Sequence, residues 1–177
     1  IYQAKRLEWR DALLAMNKEA GNPGMFEIYA GNPMPRPVGS DPEATDADTA
    51  IYVLCRTSGQ GADRKNAQGD YLLTDEEYAF IGRMCNVYEH VVLIINSGGL
   101  IDLSFVDDFA NIEAIIYMSQ PGMEGGSALA DVLSGRVNPS AKLTDSWAYS
   151  YDDYPGAREF STNGASLEYA AYHEGIY

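Results

Sequence analysis

The residue types best suited to chemistry gather in one short loop, residues 57–64 (TSGQGADR), directly after the apolar run 50–55 (AIYVLC). The run reads as a buried strand, and ligands of open α/β sheets meet the loops at the carboxyl ends of strands. Acid–base work on a neutral substrate needs carboxyl groups facing each other across the bond that breaks. By residue type, Asp63, Asp70, Asp102, Glu124 and Glu174 can supply them. On an acidic chain most carboxylates are solvated or cap helices. Asp63 beside Arg64 reads as an ion pair that holds the loop, and Glu124 stands just before a helix start, where the helix dipole favours a carboxylate without any catalysis.

Other chemistries fit less well. Ser58 and Ser97 lie at strand ends, but no GxSxG surrounds either, and two histidines in the whole chain argue against a Ser-His-Asp triad. The glycines of 97–99 and 122–126 match neither GxGxxG nor GxxxxGK[ST], so tight strand-to-helix turns are expected there rather than a phosphate cradle. Cys55 and Cys85 belong to no CxxC and read as free, buried thiols. His90 and His173 lack ligand spacing, so no metal site is expected.

The elements that must position these residues follow from periodicity. Apolar runs at 50–55, 90–96 (HVVLIIN) and 114–118 (AIIYM) read as adjacent, parallel, buried strands. Helical spacing of Tyr78, Ile81, Met84, Cys85 and Tyr88 predicts a helix over 75–88, with Thr74 as N-cap and acids in the first turn. A short helix is expected over 103–109, another over 127–133 closed by Gly135, and an edge strand over 142–148. Residues 1–20 read as a helix stopped by the turn GNPG, and 31–45 as a Pro-rich connection. Alternating strands and helices imply an α/β fold: a three-layer α/β/α sandwich with a mostly parallel sheet, in a flavodoxin-like arrangement.

A chain of 177 residues with 46% hydrophobic content can bury one domain core. Its net charge of -14 repels phosphate backbones and anionic lipid, so neither nucleic acid nor membrane is an expected partner, while a neutral sugar is compatible. No apolar run reaches spanning length and no signal peptide is visible. The start at Ile1 and the stop at Tyr177, within a sequence that reads as unfinished, suggest a fragment of a longer protein. Its compartment stays open, with the cytoplasm the working expectation.

Three long segments then point further. RTSGQGADRKNAQGDYLLTDEE, VVLIINSGGLIDLSF and QPGMEGGSALADVLSGRVNPSAKLTDSWAYSYDDYP, in this order and spacing, resemble the α/β-sandwich domain of glycoside hydrolase family 3. The closing AYHEGIY resembles the start of that family's segment running into GYR. The resemblance covers 49–177, and 1–48 are expected to belong to the same domain. It implies a retaining, exo-acting β-glycosidase, most often a β-glucosidase, acting on terminal β-linked sugars of an oligosaccharide or glycoside. A separate (β/α)8 barrel would carry the aspartate nucleophile and most of the pocket, and would be this domain's main partner. The sandwich would close the pocket and, from a loop reading SGEG, supply the general acid/base glutamate. Gln60 stands at that glutamate's position. Ser58, Gly59, Asp63, Arg64 and Glu124 would support the loop or the pocket. No nucleophile is assigned in this chain, Asp145 of the barrel-like string TDSW included, and no cofactor is implied. The rival readings are a noncatalytic sugar-binding or scaffolding module and a flavodoxin-like nucleotide or flavin domain.

Overall fold

The computed structural model describes residues 46–56 and 64–157. The expected helix over 1–20, the connection over 31–45 and the residues Ser58, Gly59, Gln60, Asp63, His173 and Glu174 lie outside the described residues.

Three parallel strands form a sheet in the order β1 (Thr49–Cys55), β2 (His90–Asn96), β3 (Ile112–Tyr117). Helix α1 (Asp75–Val87) connects β1 to β2, a short 3-10 turn (Ser104–Asp108) connects β2 to β3, and helix α2 (Gly125–Leu133) follows β3. The three strands are adjacent and parallel, as their apolar runs predict.

Why α1 begins where it does is visible in its first turn. The Thr74 hydroxyl accepts from the Glu77 N–H at 3.1 Å, and the Glu77 carboxylate accepts from the Thr74 N–H at 2.9 Å. This reciprocal cap satisfies two amide donors that the helix leaves unpaired. At the other end the Asn111 side-chain amide donates to the carbonyls of Cys85 and Tyr88, at 2.9 and 2.8 Å.

The core lies on one face of the sheet. Ala50, Leu54, Val91, Leu93 and Ile95 point toward Phe80, Ile81 and Met84 of α1 and toward Ile101 and Phe105. Both crossovers cover this face because the strands step in one direction, and right-handed crossovers then stack on the same side. The expectation that all three strands are fully buried needs correction here. On the opposite face of β1, Ile51 is 50% and Val53 43% exposed, and Ile115 of β3 is exposed as well. Only β2, flanked on both sides, buries nearly its whole apolar run.

Boundaries differ in three places. The third strand begins at Ile112 rather than Ala114, because a bulge between Val91 and Val92 accommodates Glu113 as an extra residue. The second helix begins at Gly125, two residues earlier than expected. No strand forms over 142–148. Thr144 bonds its neighbour Asp145, and the Trp147 indole turns inward to donate to the Ile101 carbonyl at 2.8 Å, which sets this segment as a strap rather than a ladder partner.

Candidate functional site at the carboxyl edge of the sheet

The carboxyl ends of β1, β2 and β3 carry Arg56, the turn Ser97-Gly98-Gly99, and the loop from Ser119 to Glu124, and Arg64 joins them through Ser97. Gly98 and Gly122 are exposed there.

Arg56 closes β1 and is the residue sequence reasoning passed over. It is 2% exposed. Its guanidinium makes a two-pronged ion pair with Glu77, at 2.6 and 2.7 Å, so the carboxylate that caps α1 also holds the end of β1. Its remaining donors reach the carbonyls of Asp70, Cys55 and Leu72. A buried guanidinium is tolerated only when its donors are satisfied in this way. The available signal was a basic residue directly after an apolar strand, with a Thr-x-x-Glu cap downstream.

Arg64, the first described residue after 57–63, is held by three contacts. Nη1 pairs with the Asp70 carboxylate at 2.8 Å, Nη2 donates to the Ser97 hydroxyl at 2.6 Å, and its carbonyl accepts from the Tyr151 hydroxyl at 2.9 Å. Ser97, fully buried, passes the contact on by donating to the Gly99 carbonyl at 2.7 Å. That is the turn-building role expected of a strand-end serine. A Cβ at Gly99 would stand 3.2 Å from Arg64 Nε, a tight contact that the arginine would have to yield to.

The candidate carboxylates among the described residues are Asp70, Asp102 and Glu124. Asp70 is committed to Arg64 and to the Lys65 N–H. Asp102 accepts from the Ser104 N–H and hydroxyl, a local turn. Glu124 is exposed at the N-cap of α2 and makes no side-chain capping bond. In the same loop Ser119 takes a left-handed backbone (φ 54°), and Met123 is fully exposed. Among the described residues, no three His, Cys, Asp or Glu side chains gather as a metal site requires. Burial pushes the thiols of Cys55 and Cys85 up, which keeps them protonated and unreactive.

Beside Arg64 lies a pocket of about 270 Å³ lined by Arg64, Tyr71, Leu100, Tyr151, Tyr154, Pro155 and Ala157. Its walls are three tyrosines packed edge to face, with Tyr71 centred 5.1 Å from Tyr151 and 6.1 Å from Tyr154. The Tyr71 hydroxyl is buried without a hydrogen-bond partner. Burial first, and then the adjacent Tyr154 phenol, push its pKa well above the ordinary tyrosine value, so it stays neutral. No helix among the described residues is long and apolar enough to cross a membrane.

Residues 37–177 match the family model described as the glycosyl hydrolase family 3 C-terminal domain. A β-glucosidase of Ruminococcus albus is 38% identical over 124 residues, which cover 70% of this chain and 13% of that protein. β-Glucosidase A of Butyrivibrio fibrisolvens is 32% identical, covering 88% of this chain and 20% of that protein. The chain therefore spans a fifth or less of the length of these two relatives. Among solved structures, a β-glucosidase of Paenibacillus barengoltzii superposes with a TM-score of 0.62 at 35% identity, over 64% of this chain and 13% of that one. β-Glucosidase 3B of Thermotoga neapolitana superposes with a TM-score of 0.59 at 33% identity, over 66% of this chain and 17% of that one.

Proposed function

Because the chain belongs to glycosyl hydrolase family 3, as its C-terminal domain, we propose that it is the accessory catalytic domain of a retaining, exo-acting β-glucosidase. The aspartate nucleophile sits on a separate (β/α)8 barrel, and the segment 57–63 presents Gln60 to the sugar pocket between the two. One observation supports this reading above the others. The two flanks of that segment are anchored by arginines at the carboxyl edge of a parallel sheet, where such folds meet their ligands.

In a retaining reaction one carboxyl group attacks the anomeric carbon. The other protonates the leaving oxygen and then, as carboxylate, takes a proton from the incoming water. Gln60 keeps the size and hydrogen-bonding capacity of glutamate but has no proton of that acidity to give. Departure of the aglycone then depends on its own stability as an anion, or on an acid from elsewhere.

The test is Gln60→Glu in the protein that carries this chain together with its barrel. The expected outcome is a rise in kcat/KM for alkyl β-glucosides of about 10²–10⁴, with a smaller rise for aryl glucosides whose leaving groups need little protonation, and a new acid limb in the pH profile. No gain with the fold intact would mean that the proton comes from another residue or that Gln60 is not at the reacting bond. Glu124 and Glu174 would then be the carboxylates to replace. The absence of an acid at Gln60 also favours a second reading, a sugar-binding module without turnover; tight glucoside binding with no hydrolysis by either variant would establish it.

A further inference from the structure

We propose that Asp70 is the positioning residue for the segment that carries Gln60, and that it holds both ends of that segment at once. The inference rests on the reading of Gln60 given above. Its basis is a convergence in the described residues. Before the segment, Arg56 Nε donates to the Asp70 carbonyl at 2.9 Å. After it, Arg64 Nη1 pairs with Asp70 Oδ1 at 2.8 Å, and the Lys65 N–H donates to Oδ2 at 2.9 Å. One residue thus receives the residue that enters the segment and the two that leave it.

The remaining bonds of these arginines tie Asp70 into the frame. Arg56 is locked to Glu77, whose other task is to cap α1. Arg64 reaches Ser97 at the end of β2. The separation of Arg56 from Arg64 is therefore set by the sheet and by α1, with Asp70 as the shared post. Both carboxylate oxygens of Asp70 are occupied and its side chain is largely buried. That arrangement suits a support and not a proton carrier.

Groups that transfer protons must be held to a fraction of an ångström by the contacts around them, and a displacement of about 1 Å can cost about a hundredfold in rate. Asp70→Asn is nearly isosteric, yet one oxygen becomes an amide donor. Whichever way the amide turns, either Arg64 or the Lys65 N–H loses its acceptor.

The experiment is a double-mutant cycle of Asp70→Asn with Gln60→Glu in the protein that carries this chain, read by kcat and KM on an alkyl β-glucoside. Hydrogen–deuterium exchange of peptides over 57–63 is measured alongside. Asp131→Asn, which removes the exposed pair with Arg136 on α2, serves as the control. The expected result is that Asp70→Asn shrinks the gain from Gln60→Glu by about tenfold or more, in kcat and with KM little changed. Exchange over 57–63 accelerates by a similar factor while peptides of β2 and α1 keep their protection, and the control moves neither readout. An undiminished gain overturns the proposal, and so does a lost gain with unchanged exchange over 57–63. Should Gln60→Glu give no gain by itself, the reading of Gln60 fails, and exchange over 57–63 alone decides the role of Asp70. If Asp70→Asn does not fold, Asp70→Glu keeps both oxygens on a longer arm and is read in the same two ways, with a smaller expected change.

Discussion

Arg56 shows how one side chain can serve stability and placement together. Its charge is out of water and is tolerable only because Glu77 and three carbonyls surround it. A buried pair of this kind contributes little relative to a well-packed apolar pair, but removal of one partner leaves an uncompensated charge. Glu77→Gln is therefore expected to destabilise by about 3–5 kcal/mol, and Arg56→Met by an amount of the same order. The Arg56→Met, Glu77→Gln double variant should cost clearly less than the sum of the two. Denaturant midpoints of the four proteins check this, and additive losses would mean that the pair is not energetically coupled. Little of this was legible in the sequence. The strand run ends at Cys55, and an arginine after it reads as the first polar residue of a loop. Burial became visible only when the register placed Arg56 beside Asn96, its N–H donating to that carbonyl at 3.0 Å, and over the cap of α1. Arg64 stood out by its place beside the loop, but its described partner, Asp70, lies on the far side of a turn that no local pattern announces.

At the scale of elements, strands and the first helix were readable because their signals are local. Apolar runs marked β1 and β2 to within a residue, and Thr74 with its acidic first turn marked α1. The misses came from tertiary contacts. The bulge at Glu113 moved the start of β3, and the inward turn of Trp147 removed the expected edge strand. Helix α2 begins against a proline. Gly125 stands against the Pro121 ring so closely that a Cβ would come within 2.2 Å of Pro121 Cγ. Proline is rigid and cannot swing aside as a long side chain would. Gly125→Ala should therefore displace the loop from Ser119 to Glu124 and destabilise by about 1–3 kcal/mol, the range typical of overpacking. Gly126→Ala, whose Cβ meets nothing within 4 Å, should be neutral or slightly stabilising through helix propensity. Thermal melts of the two variants side by side provide the check. Equal effects would mean that the loop yields and that the contact with Pro121 places nothing.

For the whole molecule, the sheet supplies an edge, and under the proposed function a barrel supplies the nucleophile. Retaining hydrolysis needs two carboxyl groups about 5–5.5 Å apart on opposite sides of the scissile bond. Among the described residues, Asp70 is bound to Arg64 and Lys65, Asp102 closes its own turn, and Glu124 stands exposed at a helix start. The tyrosine-lined pocket beside Arg64 offers aromatic walls and one neutral phenol, but no acid. The 177-residue chain by itself is therefore expected to turn over no aryl β-glucoside, even one with a leaving group that needs no protonation. The measurement is product release by highly purified chain, with a parallel preparation carrying Gln60→Glu and a control for contaminating hydrolase. Adding an acid at Gln60 should not help the isolated chain, because the missing step is nucleophilic attack and not protonation. Turnover that survives the control in either preparation would place the nucleophile within these residues and would refute the division of labour between sandwich and barrel.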